Sequence, residues 1–437
     1  MHSNKEVMAK KLNNVSAFDV TFKNSKNVPF QRWYPYIEGY SPNFVLSLID
    51  KYCKDATLIY EPFAGTGTTL FASDMKGINT VYSEVNPLLR FLIDTKISAM
   101  TLSEEERMEI ASELKEIIPS VLVEVNNCSP SEELKQSYTN AFGDSIYLPD
   151  EQYILILKLR TYIDSVYNSN QKLLADLLTV AVLSSLLSVS YLKKQGDVRF
   201  KTQAERANQE YLVDVLPSKL ELMVEDIKNL DFYMSKKHTL VCENAKNIGL
   251  ESLEEKISAV ITSPPYLNGT NYFRNTKLEL WFLGYIKTDK DLRYYRDEAL
   301  TSGINDVKAS YSKDCEQLNS KTLTETLLEL DSKAYDKRIP LMARCYFNEM
   351  IQLFGGLADK LKEGAYILVD LGDSIFSNVH IKTDVILAEV LRDLGYKLKD
   401  RIVLRQRRSR NGELISQVLL VMKYNSKNGT IKETKVE

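Results

Sequence analysis

The chain is poor in the residues that build metal and redox sites. Its three histidines (His2, His238, His380) are scattered, and its five cysteines (Cys53, Cys128, Cys242, Cys315, Cys345) form no C-x-x-C pair. That spacing suggests neither a zinc site nor a redox dithiol, so no metal is expected, and it fits a reducing, cytoplasmic setting. An excess of positive charge is missing too. Lys and Arg number 56 against 59 Asp and Glu, a net charge of -3. Any contact with nucleic acid must come from local basic patches, because a sequence-blind binder is strongly basic overall. No signal-type apolar run opens the chain. The longest uncharged stretch, 177–192, is shorter than the ~20 residues of a bilayer span, and it carries Thr179, Ser184, Ser185, Ser188 and Ser190. It reads as a buried helix, and no membrane partner is expected.

What is present suffices for a large core. The 437 residues are 44% apolar and 26% charged, a balance that argues against global disorder and allows one large domain with insertions, or two domains. Residues 1–30 are polar and mixed, and read as a loose arm. A strand over 57–60, a Gly/Thr loop, a helix over 69–76 and a strand over 79–85 suit a parallel α/β sheet. From about 97 to 235 apolar positions recur at helical spacing, over 103–110, 113–117, 153–166 and 173–192, with almost no glycine: a helical insertion. The α/β rhythm returns with short strands over 238–242 and 259–262. A polar segment at about 286–335 interrupts it again. A helix over 341–361, a strand over 365–371 and a helix over 384–394 follow, the last with Gly395 as a C-cap. The sequence closes in a hairpin of 401–406 and 417–424, turned at Asn411-Gly412.

Two loops carry chemistry. The first, Glu61-Pro62-Phe63-Ala64-Gly65-Thr66-Gly67-Thr68-Thr69, follows a strand and opens a helix. Its glycines let the backbone turn sharply and approach a ligand at the carboxyl edge of the sheet. Glu84 ends the next strand, about 20 residues on, where a carboxylate can accept from both hydroxyls of a ribose. The third glycine of the dinucleotide fingerprint is absent, which favours a nucleoside ligand without phosphate.

The second loop, Thr262-Ser263-Pro264-Pro265-Tyr266, also leaves a strand. Adjacent prolines end a sheet and fix the backbone. Methylating an exocyclic amino group requires its lone pair, delocalised into the base, to be localised. Ser263 Oγ and the Pro264 carbonyl can be the two acceptors that do so, preorganised by the rigid Pro264-Pro265 segment. Tyr266 can stack on a base swung out of the duplex. Methylation at cytosine C5 would need a cysteine nucleophile, typically after proline, and no Pro-Cys dipeptide occurs.

In combination these segments resemble the amino-group DNA methyltransferases of restriction-modification type. Residues 61–69 resemble motif I and 262–266 motif IV. Arg32-Trp33-Tyr34-Pro35-Tyr36 with Ser41-Pro42-Asn43-Phe44 resembles motif X, 82–87 motif II, 242–245 motif III and 365–374 the motif VI strand. The resemblance implies a Rossmann-like α/β sheet with a closing antiparallel hairpin, and S-adenosylmethionine as cofactor. It implies cofactor contacts at Tyr36, Ser41, Glu61, Phe63, Ala64, Gly65, Gly67, Thr68, Glu84, Asn86 and Asn244. The implied catalytic set is Ser263, Pro264, Pro265 and Tyr266. Serine before Pro-Pro-Tyr points to cytosine N4 rather than adenine N6. Double-stranded DNA is the implied substrate, with room for a cognate restriction or defence nuclease as partner. Asn244 stands where the family usually has Asp. The insertion between motifs II and III is unusual, and the short chain after the last strand leaves no C-terminal target-recognition domain.

The domains expected on this reading are an arm (1–30), a first catalytic part (31–96), a helical insertion able to recognise the target (97–235), and a second catalytic part (236–437). Base and phosphate contacts have three candidate sources. One is Lys193, Lys194, Arg199, Lys201 and Arg206 at the end of the insertion. Another is Tyr272, Arg274, Lys277, Arg293 and Arg296 after motif IV. The densest is Arg405-Gln406-Arg407-Arg408-Ser409-Arg410-Asn411, the first choice for DNA. A methyltransferase acting on RNA bases (guanine N2 or adenine N6) and a non-catalytic DNA-binding scaffold remain alternatives; a recognisable RNA-binding module is absent from the sequence.

Overall fold

The computed structural model describes residues 19–36, 39–247, 253–267, 272–308, 318–409 and 412–426. Its strands are β1 (Leu58–Glu61), β2 (Asn79–Ser83), β3 (Leu192–Gln195), β4 (Asp197–Phe200), β5 (His238–Cys242), β6 (Ile257–Thr262), β7 (Leu361–Gly372), β8 (Ser374–Phe376), β9 (Val379–Ile381), β10 (Tyr396–Arg408) and β11 (Leu414–Tyr424). Seven form one sheet in the order β5-β2-β1-β6-β7-β11-β10. The first five run parallel, and β11 is antiparallel to both β7 and β10. The fold is mixed α/β with a mostly parallel sheet, closed by the expected hairpin, whose strands run longer than 401–406 and 417–424.

Strands β1 and β6 read as continuous apolar runs because both of their faces are covered. On one face helix α1 (Pro42–Tyr52) sets Phe44, Val45, Leu48 and Ile49 against Ile59, Ile261, Leu368 and Leu419. On the other, helices Arg338–Leu357 and Thr383–Arg392 pack on Tyr60, Val260, Ile367 and Leu420. Helix α2 (Thr68–Met75) links β1 to β2, and α3 (Pro87–Met100) follows β2. The chain builds outward from β1 to β2 and β5 on one side, then returns to β6 on the other. Strand order therefore reverses between β1 and β6, the point at which open α/β sheets open a crevice at their carboxyl ends.

Several expectations need correction. The boundary at 96/97 falls inside α3, and helices Glu104–Ile117, Asp150–Asn168, Lys172–Val189 and Leu212–Lys228 share one apolar cluster with α3, Phe30 and Trp33. Stretches 103–110 and 113–117 are a single helix started by a Ser103/Glu106 capping box. The insertion is not wholly helical, since it contains the β3–β4 hairpin. The described part of the arm is packed, not loose. Val20, Phe22 and Phe30 are buried, and the Phe30 amide and Trp33 Nε1 each donate to Asp226 at 2.9 Å. Lys172–Val189 is long and apolar enough to cross a membrane, yet in this fold it is mostly buried among its neighbours.

Candidate active site

Strands β1 and β6 are direct neighbours, with Ile59 opposite Ala259 and Tyr60 opposite Val260. Their carboxyl ends release the Gly loop and the Ser-Pro-Pro-Tyr loop side by side. One cavity opens there, with about 920 Å³ of space between its walls when the open mouth is included. Tyr36, Phe63, Ala64, Gly65, Thr68, Glu84, Asn86, Asn244, Ser263 and Pro265 all line it. Ten of the sequence-derived site residues thus meet at one place although they come from five separate stretches of chain.

The loop is shaped for a close ligand. Gly65 (φ +55°) and Gly67 (φ +86°) take left-handed conformations that glycine adopts without steric cost. A Cβ at Gly65 would stand 3.2 Å from the Tyr36 ring. Glu84 accepts from the amides of Gly65 and Asn86, at 2.8 Å each. Burial pushes its carboxyl up to about 7, because the charged form loses its hydration. Asn86 also caps α3, accepting from the Leu88 amide at 3.1 Å. Asn244 donates through Nδ2 to the carbonyl (2.8 Å) and the carboxylate (3.0 Å) of Glu298, a further residue of the lining.

Other expected cofactor residues stand behind the wall. Glu61 is buried and accepts from the Tyr40 (2.6 Å) and Thr69 (2.7 Å) hydroxyls; desolvation raises it to about 7. Ser41 caps α1 and donates to Asp19 at 3.1 Å. Gly67 faces Ile93, where a Cβ would come within 3.1 Å. These three hold the loop and α1 in place. Tyr40 itself lines the cavity and was not singled out by the sequence. On the far side of the loop lies buried Lys96, whose Nζ donates to the Thr66 carbonyl at 2.9 Å. Burial lowers its ammonium to about 7.

At the Ser-Pro-Pro-Tyr loop, Ser263 and Pro265 face the cavity, while Tyr266 and Pro264 are outside its lining. The Tyr266 hydroxyl donates to Asp370 at 3.2 Å. Asp370, at the end of β7, also accepts from Gln417 Nε2 at 2.9 and 3.0 Å. Burial pushes its carboxyl up to about 7. Sequence reasoning missed Asp370. An acid closing an apolar strand was the available signal, but Gln417 is brought beside it only by the pairing of β7 with β11.

The basic candidates separate in the fold. Lys277 is buried, with its ammonium 3.4 Å from the Tyr147 ring centroid, which removes it from a solvent-facing surface. Arg274 lies 3.7 Å from Asp197. In the insertion, Lys193 and Arg199 bind Glu205, Lys201 donates to the Ser188 carbonyl, and Arg206 sits over Tyr191. Arg405, Arg407 and Arg408 are exposed near the end of β10. Strand β7 stops at Gly372, opposite Gln417. The tip carrying Arg407 and Arg408 therefore extends past the same sheet edge as Ser263. Arg410 and Asn411 lie outside the described residues.

The chain is similar to type II methyltransferases. It is 26% identical over 419 residues to the type II methyltransferase M.AvaI of a Nostoc species and of Anabaena variabilis, covering 88% of this chain and 83% of theirs. It is 24% identical over 443 residues to the type II methyltransferase M.BsoBI of Geobacillus stearothermophilus, covering 90% and 84%. No family model and no solved structure matches.

Proposed function

We propose that the protein methylates an exocyclic amino group of a base in double-stranded DNA, using S-adenosylmethionine, with cytosine N4 as the target. The observation that carries this reading is the convergence of the Gly loop, Glu84 and Ser263 on one cavity at the strand-order reversal. Similarity to type II methyltransferases over 88–90% of the chain supports it.

The cavity fits a nucleoside with a flexible tail. Glu84 offers a carboxylate to ribose hydroxyls, and Gly65 leaves no side chain between the loop and Tyr36. Phe63, Ala64, Thr68, Asn86 and Asn244 complete that wall. When bound, the cofactor supplies a methyl group activated by its sulfonium, so no strong base is required before attack. Ser263 Oγ and the Pro264 carbonyl accept from the amino group and localise its lone pair. The ring of Tyr266 covers the face of the extruded base. As the new N–C bond forms, the nitrogen becomes cationic and must lose a proton. Asp370, which accepts from the Tyr266 hydroxyl and has its carboxyl raised to about 7, can take it up. The exposed arginines at the end of β10 supply the duplex contacts.

Mass spectrometry of nucleosides from DNA of cells expressing the protein tests the reading. N4-methylcytosine is the expected product, and Ser263→Ala abolishes it while cofactor binding persists. N6-methyladenine would keep the mechanism and overturn the base. C5-methylcytosine, or methylation of RNA alone, would overturn both.

A further inference from the structure

Helix Asp291–Glu298 lies at the wall of the cavity and belongs to the segment read from the sequence as polar, with Arg293 and Arg296 as candidate DNA contacts. Its end is tied down twice. Asn244 donates to Glu298, and Lys246 Nζ donates to the Ala299 carbonyl at 2.7 Å. Glu298, Ala299 and Leu300 line the cavity beside Ser263.

The body of this helix carries aromatic rings outward from that wall. Phe273 lines the cavity and stacks on Tyr295, centroids 5.8 Å apart and planes 17° from parallel. Tyr294 and Tyr285 meet Tyr295 edge-on, at 5.3 and 6.4 Å. Tyr294 is 63% exposed and Tyr285 40%. Rings therefore run without interruption from the cavity to solvent. Folding does not require this, since an exposed ring contributes little burial. An exposed aromatic cluster continuous with a site marks a binding surface.

We propose that Tyr294, backed by Tyr295 and Tyr285, is a stacking platform for a DNA base flanking the target nucleotide. The proposal rests on the reading of the cavity given above. The occupant is a base rather than a protein because the strip is narrow. Asp291, Arg293 and Asp297 surround the rings on the same helix, whereas a stable protein interface buries about 800 Å² on each partner. A base presents a single π-face, which one tyrosine matches. Arg293, 70% exposed and 3.8 Å from Asp297, adds a cation at the rim for the adjoining phosphate.

The test is fluorescence anisotropy with the full chain and a labelled mixed-sequence DNA duplex containing a central mismatched bubble. Tyr294→Ala is expected to weaken binding about 5- to 100-fold, as loss of one aromatic platform does. The salt slope should not change, because the substitution removes no cation from a phosphate, and Tyr294→Phe should bind as the unmodified protein does. Calorimetry with S-adenosylmethionine checks that the variant is folded. Affinity within twofold of the unmodified protein overturns the platform, as does a weakened variant with a shallower salt slope. Tighter binding to an RNA bubble of the same sequence overturns DNA as the occupant. N4-methylcytosine production alongside unaltered Tyr294→Ala binding would sink the platform alone. A platform effect without any methylated base would sink only the proposed chemistry.

Discussion

Gly372 and Tyr266 share a space that admits no side chain at position 372. A Cβ there would lie 2.6 Å from Cδ2 and 2.8 Å from Cε2 of the tyrosine ring. Gly372 ends β7, two residues past Asp370, which holds the Tyr266 hydroxyl. Backbone and carboxylate from one strand therefore fix both the plane and the tip of the ring that the proposed mechanism sets on the base.

Gly372→Ala should displace that ring. The expected cost is about 1–3 kcal/mol of stability, typical of overpacking, with loss of turnover. In a Tyr266→Ala background the same change should be nearly neutral. Urea titration of the four proteins in this double-mutant cycle measures the coupling. Additive costs would show that Gly372 does not constrain Tyr266.

Cofactor affinity should depend on pH through Glu84. Its carboxyl is raised to about 7 in the free protein. Ribose hydroxyls donate to the ionised form and so favour it. Binding then releases a proton below pH 7, and affinity rises as pH climbs through about 7 and levels off above. Glu84→Gln should weaken binding about 10- to 100-fold and flatten its dependence on pH. Calorimetry in buffers of different ionisation enthalpy reads the proton release directly.

Replacing Arg405, Arg407 and Arg408 with alanine should weaken duplex binding and flatten its salt dependence, by about one unit of slope for each phosphate left without its cation. Cofactor binding should not change, because these side chains project from the end of β10, outside the cavity lining. An unaltered slope, measured by anisotropy across a salt series, would move the backbone contacts to another surface.

Lys96 should make stability rise with pH above neutrality. Burial holds its ammonium at about 7 in the folded protein, against about 10.4 in an exposed chain. Between these values the unfolded state binds more protons, so stability from this group increases from pH 7 towards pH 10. Lys96→Met should remove that increment, seen as a smaller shift of the urea midpoint between pH 7 and pH 9. The variant also leaves the Thr66 carbonyl without its donor, so looser cofactor binding should accompany it.

The sequence by itself determined the two loops, and the reason is local. Left-handed glycine at 65 and 67 and a Pro264-Pro265 step restrict the backbone whatever surrounds them, and strands β1 and β6 announce themselves as short apolar runs. The closing hairpin and the apolar helix Lys172–Val189 were legible for the same kind of reason, through alternation and continuous burial. Only the tertiary structure decided which residues share the site. Pairing of Ile59 with Ala259 joins segments far apart in the chain, and no local propensity encodes that register. The surroundings of charged residues were least legible in the sequence. Lys277, read from the sequence as a DNA contact, has its ammonium over Tyr147, and Glu61, read as a cofactor contact, has its oxygens held by Tyr40 and Thr69. A charged side chain takes its role from whatever partner reaches it, and here those partners come from elements that only packing brings near.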